Sequence, residues 1–258
     1  MSRFLLAMAI LLAARPARAQ HYQSDFPADE FKARWTKLYD RIGDGAVAVV
    51  QGMPLTDGYT FPRQYNTFYY LSGIETPGAY MLFDGRTRKA TPYLPPRNER
   101  LERAEGKVLS ADDAELVKRL TGVDDVLALE AMRTEGWPLN ARTIFAEFRP
   151  AEAAGQSRGE LVSAETARAL DYWDGGTSRQ RRFVELLRAR HPRAEIRDLN
   201  PILDELRAIK SPREDSFLLT PTGLERLSAP VPRTIEEIES YLRRHSPRIS
   251  PMSRISRA

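Results

Sequence analysis

The sequence predicts an α/β domain in which a mixed sheet has flanking helices. Segments with helical spacing alternate along the chain with short apolar segments, and one pair of apolar segments is joined by an Asp-Gly turn. With 258 residues, 42% of them hydrophobic, the chain can bury a core without disulfides. The sequence contains no Cys, which excludes thiol nucleophiles and cysteine-ligated zinc as its chemistry.

The first predicted element is an amphipathic helix over residues 29–42. Its large apolar residues recur at helical spacing, and Gly43 follows as a natural end. The next segment, 46–50, is apolar throughout, which is typical of a strand buried on both faces. Residues 67–71 are rich in aromatics and predict a further strand.

A β-hairpin is predicted at Asp84-Gly85, a dipeptide that favours tight turns between strands. Its strands are 79–83 and 88–94, and Pro92 indicates that the second one lies at the edge of the sheet. Capping and periodicity signals predict the remaining elements. These are a helix from Asp112 and Asp113 to Leu120, a strand over 143–148, a helix over 178–190, a strand over 195–199 and a helix that opens with Asn200-Pro201.

The first nineteen residues have the three parts of a secretory signal peptide. A positive start (1–3) precedes an apolar run (4–14), and Ala17-Arg18-Ala19 forms a small-x-small cleavage site. A spanning helix requires about 20 apolar residues, more than this run supplies. We therefore expect a protein exported to the periplasm or the extracellular space, with no membrane attachment after cleavage.

The positive charge of the chain is concentrated at its two ends. The net charge is +4, but residues 20–214 carry 29 basic and 30 acidic residues that are mixed along the sequence. A nucleic-acid-binding surface requires a concentrated basic stripe. We therefore expect no nucleic-acid partner.

One short motif, Gly155-Gln-Ser157-Arg-Gly159, matches the G-x-S-x-G nucleophile elbow of serine hydrolases. The elbow places its serine between a strand and a helix, whereas here Pro150 and an Ala/Glu run follow the preceding predicted strand. A surface loop is therefore the favoured interpretation, and a serine hydrolase using Ser157 is a minor alternative. No metal site is predicted, because the three His residues are far apart in the sequence and lack ligand-type neighbours at helical spacing.

The aromatic segment 59–83 resembles the N-terminal domain of aminopeptidase P, in the creatinase and prolidase superfamily. The similar features are an Arg63-Gln64 step, the run Phe-Tyr-Tyr-Leu-Ser-Gly (68–73) and a Pro-containing loop into a hairpin. The similarity continues through Tyr-Leu-Pro-Pro-Arg-Asn (93–98) and extends over roughly 25–214. One departure is the absence of a Trp-Gly pair that the family usually has after an acidic helix start.

The resemblance implies an RNase H-like α/β fold and a family that removes an N-terminal residue preceding proline. In that family the chemistry resides in a C-terminal domain, where two Asp, two Glu and one His hold two divalent ions, usually manganese. The N-terminal domain supplies oligomer contacts and helps to wall the substrate cleft. Arg63, Tyr69 and Tyr70 are therefore the candidate interface or cleft residues, with ordinary sheet packing as the alternative for the tyrosines.

The expected domain organisation has four parts. They are a signal peptide (1–19), an aminopeptidase P N-terminal-like domain (20–205), the start of an inter-domain linker helix (206–214) and an atypical tail (215–258). Ser-Pro-Arg-Glu (211–214) predicts a helix start, which Thr-Pro-Thr-Gly (220–223) soon interrupts. In the tail we expect one short helix beginning at Thr234, followed by disorder.

Residues after Glu214 include one His and one Asp, too few for the ligand set that the resemblance implies. We therefore expect a non-catalytic domain that binds no metal itself, is inactive alone, and acts as a homo-oligomer or with a separate catalytic chain. Peptide substrates would be reached only through such a partner. The alternative is a fragment that is active as an aminopeptidase once a separately encoded catalytic chain is added. A frameshift, a split gene and a natural short form would each produce this sequence.

Overall fold

A six-stranded mixed sheet is the centre of the protein in its computed structural model. The strands are β1 (Ala46–Gln51), β2 (Tyr80–Asp84), β3 (Lys89–Leu94), β4 (Leu127–Ala128), β5 (Thr143–Ala146) and β6 (Glu195–Asp198). The α-helices are α1 (Ala28–Ile42), α2 (Asn66–Ser72), α3 (Glu99–Glu105), α4 (Ala114–Thr121), α5 (Arg158–Leu170), α6 (Arg179–Arg190) and α7 (Asn200–Ala208). Short 3-10 helices cover Ala111–Asp113 and Leu129–Arg133.

The structure describes residues 26–55, 64–134, 137–138, 141–153, 157–211, 213, 217–220, 223–226 and 240. The predicted signal peptide and the predicted helix at Thr234 lie outside these residues. Within them, no helix combines the length and the hydropathy that crossing a lipid bilayer requires.

The strand order is β4-β3-β2-β1-β5-β6. Strand β2 runs antiparallel to both of its neighbours, whereas β1, β5 and β6 are mutually parallel, as are β3 and β4. In the hairpin, Asp84 pairs with Lys89 and Tyr80 pairs with Tyr93. The predicted α/β class, its mixed sheet and the Asp-Gly hairpin are therefore confirmed.

Strand β1 is buried on both faces, as its apolar sequence predicts. All six of its residues are buried. On one face, Ala48 and Val50 belong to the larger apolar cluster, which includes Phe31 and Leu38 of α1. On the other face, Val47 and Val49 pack in a second cluster. Helices on both sides of the sheet thus remove β1 from water, which stabilises the fold by about 25 cal/mol per Å² of buried apolar surface.

The aromatic segment 67–71, predicted as a strand, forms helix α2 instead. The residues buried in α2 are Thr67, Phe68, Leu71 and Ser72, which follow helical rather than alternating spacing. Gly73 ends the helix in the left-handed conformation with φ of 64°. Burial against α1 outweighs the preference of aromatic residues for strands.

The prediction that β3 lies at the sheet edge is wrong, because β4 pairs outside it. Strand β4 is two residues long and pairs only with Tyr93 and Leu94 of β3. The Ala90 amide donates to the Asp124 carboxylate at 2.9 Å, away from β2. The nitrogen of Pro92, two residues further on, faces this same outer side. The missing N–H of Pro92 therefore removes no bond from the β2–β3 ladder.

Contacts divide the chain into two units, with the boundary after Leu206. In the second unit, strands Phe217–Thr220 (β7) and Gly223–Arg226 (β8) form an antiparallel hairpin. The helix start predicted at 211–214 lies partly outside the described residues, and Phe217–Thr220 beyond it is a strand. Thr220 and Gly223, the two ends of the predicted interruption, are paired.

Candidate functional site

Of the three candidate interface residues, the structure describes two. Arg63 lies outside the described residues. Tyr69 and Tyr70 lie in helix α2 rather than in a strand, and both side chains are half-buried. The Tyr70 hydroxyl donates to the Leu206 carbonyl at 3.1 Å. Tyr70 thus makes a contact within the chain from a helix and not from the sheet, and its interface or cleft role stays a prediction.

Arg34 connects helix α1 to helix α2, which contains Tyr70. Its guanidinium donates to the Tyr70 carbonyl at 2.6 Å and to Glu30 Oε1 at 2.7 Å. The same group lies 4.2 Å from the centroid of the Tyr70 ring and 4.7 Å from that of Phe26. Arg34 is only 6% exposed, so the carboxylate and the aromatic faces replace the water that its charge has lost.

Gln64, the residue after Arg63, holds the chain in place just before helix α2. Its amide oxygen accepts from the backbone N–H of Tyr65 at 3.0 Å and also from that of Met53. Its amide nitrogen donates to the Thr76 carbonyl at 3.0 Å. Gln64 is 3% exposed and uses both ends of its amide. It therefore ties the segment after β1 to the loop before β2.

A second polar group lies at the carboxyl end of β1. Arg179 of α6 donates to the Gly52 carbonyl and, at 3.1 Å, to the Tyr80 hydroxyl. Gln51 Nε2 donates to the same hydroxyl at 3.3 Å. The buried atoms Gln51 Oε1 and Gln180 Nε2 have no hydrogen-bond partner within the described part of the chain. These contacts connect the start of α6 to the end of β1.

A group of ion pairs lies beyond the carboxyl end of β5, the strand next to β1. Asp204 of α7 accepts from Arg149 at 2.9 Å and also from Arg158, and Arg158 lies 3.6 Å from the Glu152 carboxylate. Burial opposes ionisation of Asp204, but the hydrogen bonds and charges of the two arginines outweigh it and hold its pKa below the ordinary value. These paired groups stabilise the edge and provide no unpaired acid or base.

Ser157, the candidate nucleophile, caps helix α5. Its hydroxyl donates to Glu160 Oε2 at 2.8 Å and accepts from the Glu160 amide at 3.3 Å. The Ser157 amide donates to the same carboxylate at 2.7 Å, which completes a capping box. These bonds lower the pKa of Glu160. Because β5 ends at Ala146, Ser157 is not on a strand-to-helix turn, and this geometry argues against a nucleophile elbow.

The described residues do not fit the metal centre that the family resemblance implies. Among them, no group of three or more His, Asp or Glu side chains could hold a metal ion. His191 is the one histidine within the described ranges, and it caps the end of α6. Asp112 accepts from the Arg97 amide at 2.7 Å, and Asp124 accepts from β3. Local structure thus accounts for these acidic residues.

Described residues of the first unit line the following two clefts, among others. Cleft 1 has a volume of about 340 Å³ and lies beside the Pro-Pro exit of β3. Its apolar lining includes Leu55, Pro77, Pro95, Pro96, Leu101 and Leu109. Cleft 2, of about 250 Å³, lies between α6 and the segment around Trp137. The sequence predicts neither cleft, because residues far apart along the chain form each wall.

Sequence reasoning also missed two other features. Gln64 was identified only as part of a motif, although its buried amide forms hydrogen bonds at both ends. The adjacent aromatics Tyr172 and Trp173, in the connection between α5 and α6, are 88% and 90% exposed. Two large aromatics between Asp residues and a Gly-Gly pair were a usable signal for an exposed aromatic turn.

Residues 31–137 match the profile of the family described as "Aminopeptidase P, N-terminal domain". This segment contains α1, β1, α2 and the β2–β3 hairpin, with the Phe-Tyr-Tyr-Leu-Ser-Gly run in α2. This part of the chain is similar to the aminopeptidase P N-terminal domain. The resemblance derived from the sequence is therefore confirmed.

Two curated relatives are Xaa-Pro aminopeptidases by name. A protein from Pyricularia oryzae assigned to this activity is 33% identical over 104 residues, which cover 38% of this chain and 19% of the relative. The Haemophilus influenzae Xaa-Pro aminopeptidase is 24% identical over 199 residues, covering 75% of this chain and 40% of the relative. The chain thus spans less than half the length of either relative.

A Bacillus anthracis structure assigned as an aminopeptidase P has the same fold. It superposes with a TM-score of 0.55 at 17% identity and covers 73% of this chain and 42% of that chain. The aminopeptidase P N-terminal domain fold, with its six-stranded mixed sheet, is therefore shown.

Proposed function

We propose that the chain acts as the non-catalytic N-terminal domain of an exported Xaa-Pro aminopeptidase-type protein. In this role it supplies contacts between subunits and shapes the substrate cleft. The match of residues 31–137 to the aminopeptidase P N-terminal domain carries the proposal. Removal of the residue before proline, and the two divalent ions it requires, usually manganese, belong in this proposal to a catalytic domain.

The chemistry of the sheet edge supports a shaping role. Ligands of α/β domains bind beyond the carboxyl ends of the strands. At this edge Gln64, Arg179 and Asp204 are engaged in internal hydrogen bonds and ion pairs. Cleft 1, whose lining includes the Gln64 partner Thr76, is mainly apolar and has several proline walls. Such a surface can contact a peptide or a neighbouring subunit, but among its described residues there is no pair of a nucleophile and a base.

The test uses the full chain expressed with its own first nineteen residues in a bacterial host. We expect the exported product to begin at Gln20, as read by N-terminal sequencing. We also expect the purified protein, after incubation with manganese, to retain none of it on gel filtration. It should leave a peptide with proline in the second position uncut. A product that starts at Met1 would refute export.

Two tightly held manganese ions per chain together with unaided cleavage before proline would refute the non-catalytic role. Cleavage that begins only when a separately purified catalytic chain is added would favour the alternative of an enzyme assembled from two chains. A chain treated with chelator before the manganese incubation is the matched control for metal carried over from expression.

A further inference from the structure

The connection between α5 and α6 presents two large aromatic side chains to solvent. Tyr172 is 88% exposed and Trp173 is 90% exposed, and Leu170 before them is 82% exposed. The two rings meet edge to face with centroids 5.1 Å apart. We call these three residues the aromatic tip. Exposed apolar groups of this size, clustered on one segment, mark interaction sites.

Hydrogen bonds within the turn hold the tip in place. Asp171 Oδ1 accepts from the Trp173 amide at 2.8 Å and from the Asp174 amide at 3.2 Å. Asp174 Oδ1 accepts from the Gly176 amide at 3.2 Å. Glu165, the one buried residue of α5, accepts from the Ser178 amide at 2.9 Å and anchors the turn to α6. The tip is therefore presented in an ordered turn, which reduces the entropy lost on docking.

Cleft 2 has the size and lining to receive an indole ring. Phe183 lies 5.9 Å from Tyr80 and 6.5 Å from Trp137 between ring centroids, so the wall of the cleft is aromatic. Leu186 of α6, 46% exposed, adds an aliphatic edge. Cavities of about 150 Å³ hold benzene, and pockets for drug-sized ligands begin at about 300 Å³. At about 250 Å³, cleft 2 suits one bicyclic side chain.

The charges of tip and cleft are complementary. Arg133 and Arg190 line cleft 2, and neither forms an ion pair or side-chain hydrogen bond with any residue that the structure describes. Asp171 and Asp174 stand directly before and after the Tyr172-Trp173 pair of the tip. Arginine and carboxylate groups pair in bidentate geometry at interfaces. The tip and the cleft thus carry opposite charges around apolar surfaces.

We propose that the aromatic tip of one copy of the chain inserts into cleft 2 of a second copy. Trp173 fills the cleft, and its flanking carboxylates face Arg133 and Arg190 of the other copy. The tip precedes the first residue of α6, and the cleft lies along the second half of this helix, which is about 18 Å long. Two copies with antiparallel α6 helices would therefore exchange tips in a closed, two-fold pair.

The surface involved is large enough for a stable pair. Tyrosine and tryptophan each bury about 150–250 Å², and a two-fold pair would bury four such side chains. With an equal area from the clefts that receive them, roughly 1,200–2,000 Å² leaves solvent, which is the size of specific protein interfaces. This inference deepens the proposed function, because it identifies the surface through which subunits meet.

The first experiment measures the dissociation constant of self-association by sedimentation equilibrium of the full chain. Trp173→Ser should weaken it by at least about 30-fold, since buried tryptophans dominate interfaces. Arg190→Glu and Asp174→Arg should each weaken it by about tenfold, and the two together should restore it to near the wild-type value. Ile209→Ser, at a residue 69% exposed that lines neither cleft, is the matched control and should change nothing.

The second experiment locates the contact directly, using a chain that contains no Cys. Tyr172→Cys and Met132→Cys proteins are mixed and oxidised with copper phenanthroline, which takes the two thiol hydrogens and their electrons as the disulfide forms. A crosslinked dimer is expected in the mixture, and neither a Tyr172→Cys sample alone nor a mixture of Ile209→Cys with Met132→Cys should match its yield.

Several outcomes would overturn the inference. They are a monomer at all concentrations, a dimer unaffected by Trp173→Ser, a double charge reversal without recovery, and binding of Trp173 to anionic lipid vesicles in place of self-association. None of these outcomes bears on catalysis, which the manganese and cleavage assays test separately. Unaided cleavage before proline would refute the proposed function and leave the dimer measurement valid.

Discussion

Trp35→Phe is the substitution that best tests why the aromatic segment 67–71 forms helix α2 and not a strand. The Trp35 indole N–H donates to the Leu71 carbonyl at 2.7 Å, and the residue is 3% exposed. This carbonyl is one of those that a helix leaves unpaired at its end. Phenylalanine leaves it buried without a donor, at about 1–3 kcal/mol, and the smaller ring removes packing worth about 1 kcal/mol more. We expect a total loss of about 2–4 kcal/mol.

The assay is urea unfolding followed by circular dichroism, with the free energy of unfolding obtained by linear extrapolation. The matched control is Trp173→Phe, the same chemical change at a residue 90% exposed within one copy, which should stay within about 0.5 kcal/mol of the wild type at protein concentrations where the chain is monomeric. A Trp35→Phe loss below about 1 kcal/mol, or an equal loss in both variants, would refute the role of α1 in capping α2. Hydrogen exchange should also show faster exchange at the amides of Tyr69 and Gly73, whose bonds belong to α2.

The other predictions concern the sheet edge and helix α5. Gly52→Ala should destabilise the protein by about 1–3 kcal/mol, because its Cβ would lie 2.8 Å from a backbone carbonyl; Gly45→Ala, with open space, is the control in the same urea assay. Ser157→Ala should lower stability by about 0.5–2 kcal/mol through loss of the cap, unlike the mid-helix Ser163→Ala, and should leave fluorophosphonate labelling unchanged. Glu165 has a lowered pKa in the folded protein, so its contribution to stability is present above the ordinary value of 4.5 and is lost as pH falls through the folded value. The acid-side decline of the unfolding free energy should therefore be shallower in Glu165→Gln, and an unchanged slope would contradict the assignment.

The balance of forces on Glu165 explains the direction of its pKa. Burial favours the neutral acid, but hydrogen bonds from Ser178 and the hydrogen bond and charge of Arg181 favour the carboxylate more strongly. The Arg181 guanidinium donates to Glu165 Oε1 at 3.0 Å. The pKa of Glu165 therefore lies below its ordinary value although the side chain is buried.

Elements defined by local signals were predictable from the sequence. The helical spacing and the following glycine located Ala28–Ile42, and the unbroken apolar run located Ala46–Gln51. The Asp-Gly dipeptide located the hairpin of β2 and β3. In each case the residues that form the element also contain the signal for its ends.

Elements that depend on distant partners were not predictable in this way. The carbonyls of Tyr70 and Leu71 at the end of α2 accept from Arg34 and Trp35, which lie 36 residues earlier. Nothing in the sequence of α2 itself indicates these donors, and its aromatic residues favour a strand. Asn200 was expected to cap its own helix, but its side-chain oxygen accepts from the amides of residues 148 and 149.

The candidate site shows the same distinction. Ser157 followed by Glu160 is a local capping signature, so its structural role was available from the sequence alone. The network of Asp204 with its two arginines joins residues about fifty positions apart, and no periodicity reveals it.

Both margins of the sheet are poor templates for adding another strand. Strand β4 has two residues, and β6 has four, of which Glu195 and Arg197 are exposed and lie 3.5 Å apart as an ion pair. Charged side chains on a short outer strand discourage backbone pairing between molecules. Copies of this domain therefore do not readily extend one another's sheets into β-polymers. Contacts between copies depend instead on how well their side chains fit, and a single substitution can abolish such a contact.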